Sequence, residues 1–347
     1  MYTKLGRYFL LILSALLMFS GTARADDLPV INVGIANTSS DAGFFIAEAK
    51  GYFSDAGLKV NLIPFGSAAG MIAPLAGGQL QVGGGTASAG LYNANLRGIN
   101  MKVVADKGSI EEGYEYSTLI VRKDLVDSGR YKSFADLKGM TVAVAAKGAG
   151  SESTLNEALK KGGLKLSDVH IAYLGFPEHL VALQNRKIDA SITNEPTITL
   201  AIKKGIAVRA SKTAIYPGQQ TAVVLYSQRF IKNHRDQAQK FMNAYVRALR
   251  YYNDALKDGK LAGPTADDVI SILTKYTKIK DPAIYRAMTP NAADPNGHVH
   301  MATLRNDLAF FKRNGFVHGD IKVEDVVDDS FAQEAVKELG PYHPMKK

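Results

Sequence analysis

Residues 44–85 read FFIAEAKGYFSDAGLKVNLIPFGSAAGMIAPLAGGQLQVGGG, and the fold is decided there. Phe45, Ile46, Ala49 and Phe53 recur at helical spacing, which predicts a helix over about Gly43–Phe53. Gly57-Leu58 ends it, Val60–Pro64 follows as a strand, and a short helix then leads into Gln79-Leu80-Gln81-Val82. Just upstream, the apolar strand Ile31–Ile35 reaches that helix through a polar turn, Asn37-Thr38-Ser39-Ser40-Asp41. Strand, loop, helix and strand in this order imply a parallel sheet with a helical crossover.

The unit occurs twice. Thr141–Ala145 is a strand, Lys147-Gly148-Ala149-Gly150-Ser151 a polar turn, and Ser153–Lys161 a helix closed by Gly162-Gly163-Leu164. A strand His170–Leu174, a helix Glu178–Asn185 and Lys187-Ile188-Asp189-Ala190 complete it. From Ile31 to Thr141 the offset is 110 residues, and from Leu80 to Ile188 it is 108. The expected class is therefore α/β with two similar lobes. The last third differs: His234–Lys257 carries Ala238, Phe241, Met242, Tyr245, Ala248, Leu249 and Tyr252 on one stripe of a long helix. Further helices are expected at Ala266–Tyr276, Met301–Asn314 and Asp329–Glu338, packed on a lobe, with Thr289–Gly297 a loop.

The chain opens with Lys4 and Arg7, an apolar run from Tyr8 to Phe19, and Ala23-Arg24-Ala25. This is the pattern of a secretory signal peptide cut after Ala25, and the apolar run is shorter than the roughly 20 residues a bilayer span needs. Of 347 residues none is Cys, which excludes disulfides, thiolate metal sites and an amino-terminal lipid on cysteine. An exported protein without that anchor points to the periplasm of a two-membrane bacterium. The net charge of +9 is scattered, with no basic block beside stacked aromatics, so nucleic acid is not indicated.

Ligands of open parallel sheets bind beyond the carboxyl ends of the strands, where the following helices present unpaired N–H groups. Small and hydroxyl residues stand at each such point here. The candidate ligand-binding residues are Asn37, Ser39, Ser40 and Asp41; Ser67 and Ala68; Thr86 and Ser88; Ser151, Glu152 and Ser153; and Asn194 and Glu195. Such residues also serve as ordinary helix caps, and Thr154-Leu155-Asn156-Glu157 fits a capping box without any ligand.

Residues 44–85 resemble the first lobe of periplasmic binding proteins for nitrate, sulfonates, taurine and thiamine-pyrimidine precursors. Ser133–Gly139 resembles that family's passage into the second lobe, and Asn194-Glu195-Pro196 its cleft-facing loop. The resemblance covers roughly Leu28 to Phe241. It implies a type II periplasmic binding fold: lobe one from 28–116 with 218–347, lobe two from 117–217, and crossings near Tyr116–Val121 and Tyr216–Leu225. It also implies a monomer that captures a small molecule by hinge closure and hands it to an inner-membrane ABC permease, with no catalytic step, cofactor or metal. The chain departs from relatives in having no Trp, which leaves Phe44, Phe176 and Tyr216 as aromatic candidates and Lys147 as a cation for an anionic ligand.

Other readings are weaker. Thr86-Ala87-Ser88-Ala89-Gly90 lacks the first Gly of a nucleophile elbow, and Gly83-x-Gly85-x-x-Ser88, with Asp106 beyond, lacks the third Gly of a dinucleotide fingerprint. His298-Val299-His300 has no carboxylates around it at ligand spacing. An enzyme of the same fold acting on a pyrimidine or other heterocycle, and a sensor that presents its ligand to a receptor, complete the alternatives.

Overall fold

The computed structural model describes residues 30–345. The expected signal peptide lies outside them. Two mixed five-stranded sheets form the frame. The first contains β1 (Val30–Ile35), β2 (Lys59–Pro64), β3 (Val82–Gly85) and β4 (Lys102–Gly108). The second contains β5 (Ser117–Arg122), β6 (Thr141–Val144), β7 (His170–Tyr173), β8 (Ala190–Asn194) and β9 (Ala207–Arg209). The chain then returns to the first sheet with β10 (Ala222–Tyr226). The strand orders are β2-β1-β3-β10-β4 and β7-β6-β8-β5-β9.

The repeat seen in the sequence is the parallel part of each sheet. Val30–Ile35 pairs with Lys59–Pro64, and Thr141–Val144 with His170–Tyr173, both parallel and in register along their length. One antiparallel strand, β10 or β5, is built into each sheet beside the parallel set. The segments 109–116 and 210–221 carry the chain between sheets and are tied to each other. Ile110 N donates to Gln219 O at 3.0 Å, Gly218 N to Ile110 O at 2.7 Å, and the Tyr116 and Thr221 hydroxyls meet at 2.7 Å.

Most elements fall where periodicity puts them, with informative exceptions. The helix expected over Gly43–Phe53 is two helices, Ala42–Ala49 and Tyr52–Asp55, because Gly51 adopts φ +74° between them. The helix expected from Ser153 starts three residues earlier, at Gly150, so Thr154 is inside the helix and is not its cap.

The carboxy-terminal helices sandwich the first sheet. Arg235–Asn253 covers one face together with Ala42–Ala49, Ala266–Tyr276 and Ser330–Leu339. Met301–Arg313 joins Ala89–Leu96 on the other face. Phe44 is wholly buried among Phe241 and Tyr245, at ring-centre distances of 6.1 and 5.0 Å, so it belongs to the core and not to a ligand surface. Each such ring contributes about 1.5–3 kcal/mol by leaving water. Helices Gly150–Lys161, Phe176–Gln184 and Thr197–Lys203 flank the second sheet. Among the described residues no helix is long and apolar enough to cross a membrane.

Candidate functional site

The carboxyl ends of β1, β2 and β3 face those of β6, β7 and β8 across a cleft of about 530 Å³, counting its mouth. From the first sheet it is lined by Ala36, Thr38, Ser40, Ser67, Ala68, Gly85, Thr86 and Lys107. From the second come Ser117, Ala145, Ala149, Gly150, Ser151, Thr154, Phe176 and Asn194, and from the crossings Tyr116, Thr221 and, at the start of β10, Ala222.

The two rims touch through their backbones. Ser39 N donates to Glu195 O at 3.1 Å, Phe176 N to Gly66 O at 3.2 Å, and Ala89 N to Gly148 O at 2.9 Å. The structure is thus a closed arrangement. Glycine allows the approach at Gly175, where an added Cβ would stand 3.1 Å from Gly66 Cα.

Six of the thirteen sequence candidates line the cleft: Ser40, Ser67, Ala68, Thr86, Ser151 and Asn194. Ser151 also braces its own turn, because its Oγ accepts from Ala145 N at 3.0 Å. The other seven are not in its lining. Asn37 adopts the left-handed φ of +57° and faces two neighbouring depressions. Ser39 and Ser88 are buried, and their hydroxyls have no partner among the described residues. Ser153 Oγ donates to Asp307 Oδ1 at 2.7 Å.

The three acidic candidates are internal braces. Asp41 Oδ2 accepts from Thr38 N at 3.0 Å, and Oδ1 lies 2.9 Å from Lys107 Nζ. Glu152 accepts from Gly148 N at 2.7 Å and from the Tyr173 hydroxyl at 2.9 Å; burial raises its pKa against both bonds. Glu195 accepts from Arg209 Nη2 at 2.7 Å and from Thr199 N and Oγ1, each at 2.9 Å. Burial pushes the Glu195 carboxyl up and Arg209 pulls it down. The Glu195–Pro196 peptide is cis.

Sequence reasoning passed over Lys107, the one ammonium in the lining among the described residues. Its Nζ bonds Ser40 Oγ at 2.8 Å and Asp41, and its side chain is 1% exposed. A lysine inside a strand reads as a solvated face, so only the third dimension finds it. The favoured cation, Lys147, instead lies over the Phe316 ring at 5.7 Å. Of the aromatic candidates Phe176 lines the cleft, whereas Tyr216 sits in a separate depression with Asn306 and Arg313. His298 pairs with Asp294 at 3.1 Å and His300 with Glu111 at 3.5 Å. Among the described residues no three His, Asp or Glu gather as metal ligands.

Charge in the cleft wall is thus paired within the protein at Lys107, and the rest of the lining is hydroxyls, one carboxamide, small side chains and the rings of Tyr116 and Phe176. Among the described residues no imidazole or carboxylate is in the lining.

A family model described as NMT1/THI5 like matches residues 38–255. The chain belongs to the NMT1/THI5-like family. A Brachyspira hyodysenteriae relative named as an ABC transporter periplasmic binding protein is 30% identical over 235 residues, 64% of this chain and 62% of the relative. The chain thus matches less than two thirds of that relative's length. A Brucella abortus binding protein is 25% identical over 280 residues, 79% of both chains.

Solved structures share the fold of this NMT1/THI5-like chain. The periplasmic nitrate-binding protein NrtA from Synechocystis superposes with a TM-score of 0.74 at 13% identity, over 90% of this chain and 89% of that one. The alkanesulfonate-binding protein SsuA from Xanthomonas axonopodis, bound to MOPS, gives 0.69 at 17% identity over 88% and 99%. The desulfurization enzyme DSZB gives 0.59 at 12% identity over 90% and 100%. The fold is that of type II periplasmic binding proteins.

Proposed function

We propose that this chain is the solute-binding component of an ABC importer, exported to the periplasm as a monomer and delivering a small molecule to an inner-membrane permease. Lobe one is formed by 28–116 with 218–347 and lobe two by 117–217, and the paired crossings act as the hinge. Hinge closure lets a ligand that contacts both lobes select the closed state. Ser40, Ser67, Ala68, Thr86, Ser151 and Asn194 contact the ligand; the remaining seven candidates hold the turns that carry them.

The observation that carries this reading is the composition of the cleft: polar turns from both sheets converge, and among the described residues no imidazole or carboxylate is in the lining to act as general acid or base. That favours capture over catalysis, although the fold also hosts an enzyme. The names of the relatives support export and transport, and the names of the solved neighbours support a nitrate- or sulfonate-like ligand. Hydroxyl and helix N–H donors, with no unpaired acid in the lining, suit such acceptor-rich molecules.

A thermal-shift screen of nitrate, small sulfonates, taurine and nitrogen heterocycles tests the reading. At 100 times its dissociation constant a ligand adds about 2.7 kcal/mol of stability. A rise confined to one chemical class supports binding. Turnover of a responding compound replaces the reading with the enzyme alternative.

A further inference from the structure

Beside the cleft lies a buried carboxyl that no step of ligand capture uses. Asp307 is on helix Met301–Arg313, which belongs to the first sheet's layer, and it is 2% exposed. Its bonds run outward from that layer. Ser153 Oγ, in the first turn of the second sheet's helix Gly150–Lys161, donates to Oδ1 at 2.7 Å. Gln219 Nε2, on the returning crossing, lies 3.4 Å from Oδ2. Gln219 in turn donates to Gly150 O at 3.1 Å and accepts from Thr154 Oγ1 at 2.7 Å. One carboxyl thus joins both lobes and the hinge segment, directly behind the cleft residues Gly150 and Thr154.

We propose that the Asp307 carboxyl is a protonation-dependent clasp: it allows the lobes to shut when it carries its proton and opposes closure when ionised. The proposal rests on the two-lobe reading, and its geometric basis is that Ser153 and its helix cover Asp307 from the opposite lobe. Opening would return the carboxyl to water.

The charges around it fit. From helix Gly150–Lys161 the facing charge is Glu157, of like sign, itself paired with Lys160 at 2.7 Å. From the crossing comes the Tyr216 hydroxyl, and from helix Ala89–Leu96 the buried Tyr92 hydroxyl, which has no partner among the described residues. On its own helix Arg305 is taken by Glu324, and Arg313 lies in the outer depression with Tyr216 and Glu157. Among the described residues no cation pairs with Asp307. Burial pushes its pKa up to about 7, against the three donors Ser153, Gln219 and Tyr216. An acid whose pKa is higher in the closed form takes up a proton on closing, so closure is favoured at low pH and weakens as pH rises from the ordinary carboxylate range through about 7.

The chain has no Cys, so a cysteine pair can report closure without background. Lys203→Cys with Ala283→Cys places two thiols at exposed positions on facing helices of opposite lobes, where Lys203 Nζ donates to Ala283 O at 3.0 Å, and the rate at which a short bifunctional thiol reagent cross-links them follows the closed population. This needs no ligand, so its outcome is independent of whether the ligand reading holds. The rate is measured from pH 5.5 to 8.5 with and without Asp307→Asn, and the ratio of the two cancels the pH dependence of thiol chemistry. The Asn carboxamide keeps a partner for Ser153 but cannot ionise. The expected ratio already exceeds one at pH 5.5, which lies above the ordinary carboxylate range, and climbs by a further factor of about ten or more by pH 8.5. Ser153→Ala should keep the pH response while trapping more slowly. A ratio that stays level with pH, or an Asp307→Asn chain that traps no faster than its parent at pH 8.5, overturns the clasp.

Discussion

Lys107 and Asp41 form an ion pair of 2.9 Å at the cleft wall, with both side chains 1% exposed or less. The pair joins β4 to the first turn after β1, and Ser40 Oγ holds Lys107 from the same turn at 2.8 Å. The turn that presents Ser40 to the cleft is therefore fixed by a charge from a neighbouring strand. Removing one partner leaves the other buried and uncompensated, which costs about 3–5 kcal/mol. Asp41→Ala and Lys107→Met should each lower unfolding free energy by that amount in denaturant titrations. The double variant should lose less than the sum, because it leaves no orphan charge. Additive losses would show that the two groups do not act as a pair.

Ligand contact separates the candidates that line the cleft from those that do not. Thr86→Ala and Asn194→Ala each remove a polar group facing the cavity. Each should weaken binding by about 0.5–1.5 kcal/mol in calorimetry with the responding ligand. Ser88→Ala is the contrasting case: Ser88 is buried and outside the lining, so its affinity should match the parent's. Equal losses at all three positions would mean that the turns, and not the groups on them, determine affinity.

Local patterns made the two α/β units legible, because apolar strands, polar turns and the helical spacing of Phe45, Ile46 and Ala49 are all short-range signals. They also located the turns that line the cleft. They did not say which side chain in a turn looks outward. Ser39 and Ser40 are adjacent and chemically identical, yet one is sealed inside and the other lines the cavity. Nor did they reveal partners distant in sequence. The separations from Asp41 to Lys107 and from Ser153 to Asp307 are set by how sheets and crossings stack, which no window of residues encodes. The antiparallel insertion of β10 between β3 and β4 is the same kind of fact.

Gly84 shows how tightly the cleft wall is backed. A Cβ there would meet Phe44 Cε2 at 2.5 Å on one side and Lys107 Cε at 2.7 Å on the other. The lysine stem can bend, but the core ring cannot move without disturbing Tyr245 and Phe241. Gly84→Ala should cost about 1–3 kcal/mol by overpacking and should displace Lys107 from Ser40. Denaturant titration reads the first effect and a crystal structure of the variant the second. An unchanged midpoint would show that the wall is softer than its packing suggests.

His179 offers a test of the second lobe that is separate from the clasp. Its Nε2 lies 2.8 Å from Leu174 O and its Nδ1 2.6 Å from Ser191 Oγ, so the neutral ring donates to the carbonyl and accepts from the hydroxyl. Its edge faces the Phe176 ring at 5.6 Å, directly behind the cleft surface. Burial lowers its pKa to about 4. An imidazole depressed in the folded state contributes stability that is complete above the unfolded pKa of about 6.5 and is lost as pH falls toward 4. Asp106 acts in the opposite sense: burial raises its pKa to about 6, so its contribution fades as pH climbs. Total stability mixes the two, and the difference between the parent and His179→Asn isolates the imidazole. Asn can keep one donor and one acceptor but does not titrate. Between pH 7 and 4 the parent's advantage over His179→Asn should shrink by about 2–3 kcal/mol. Urea titrations at each pH measure it, and a difference that holds constant over this range would mean that His179 titrates normally and that its site is open to water.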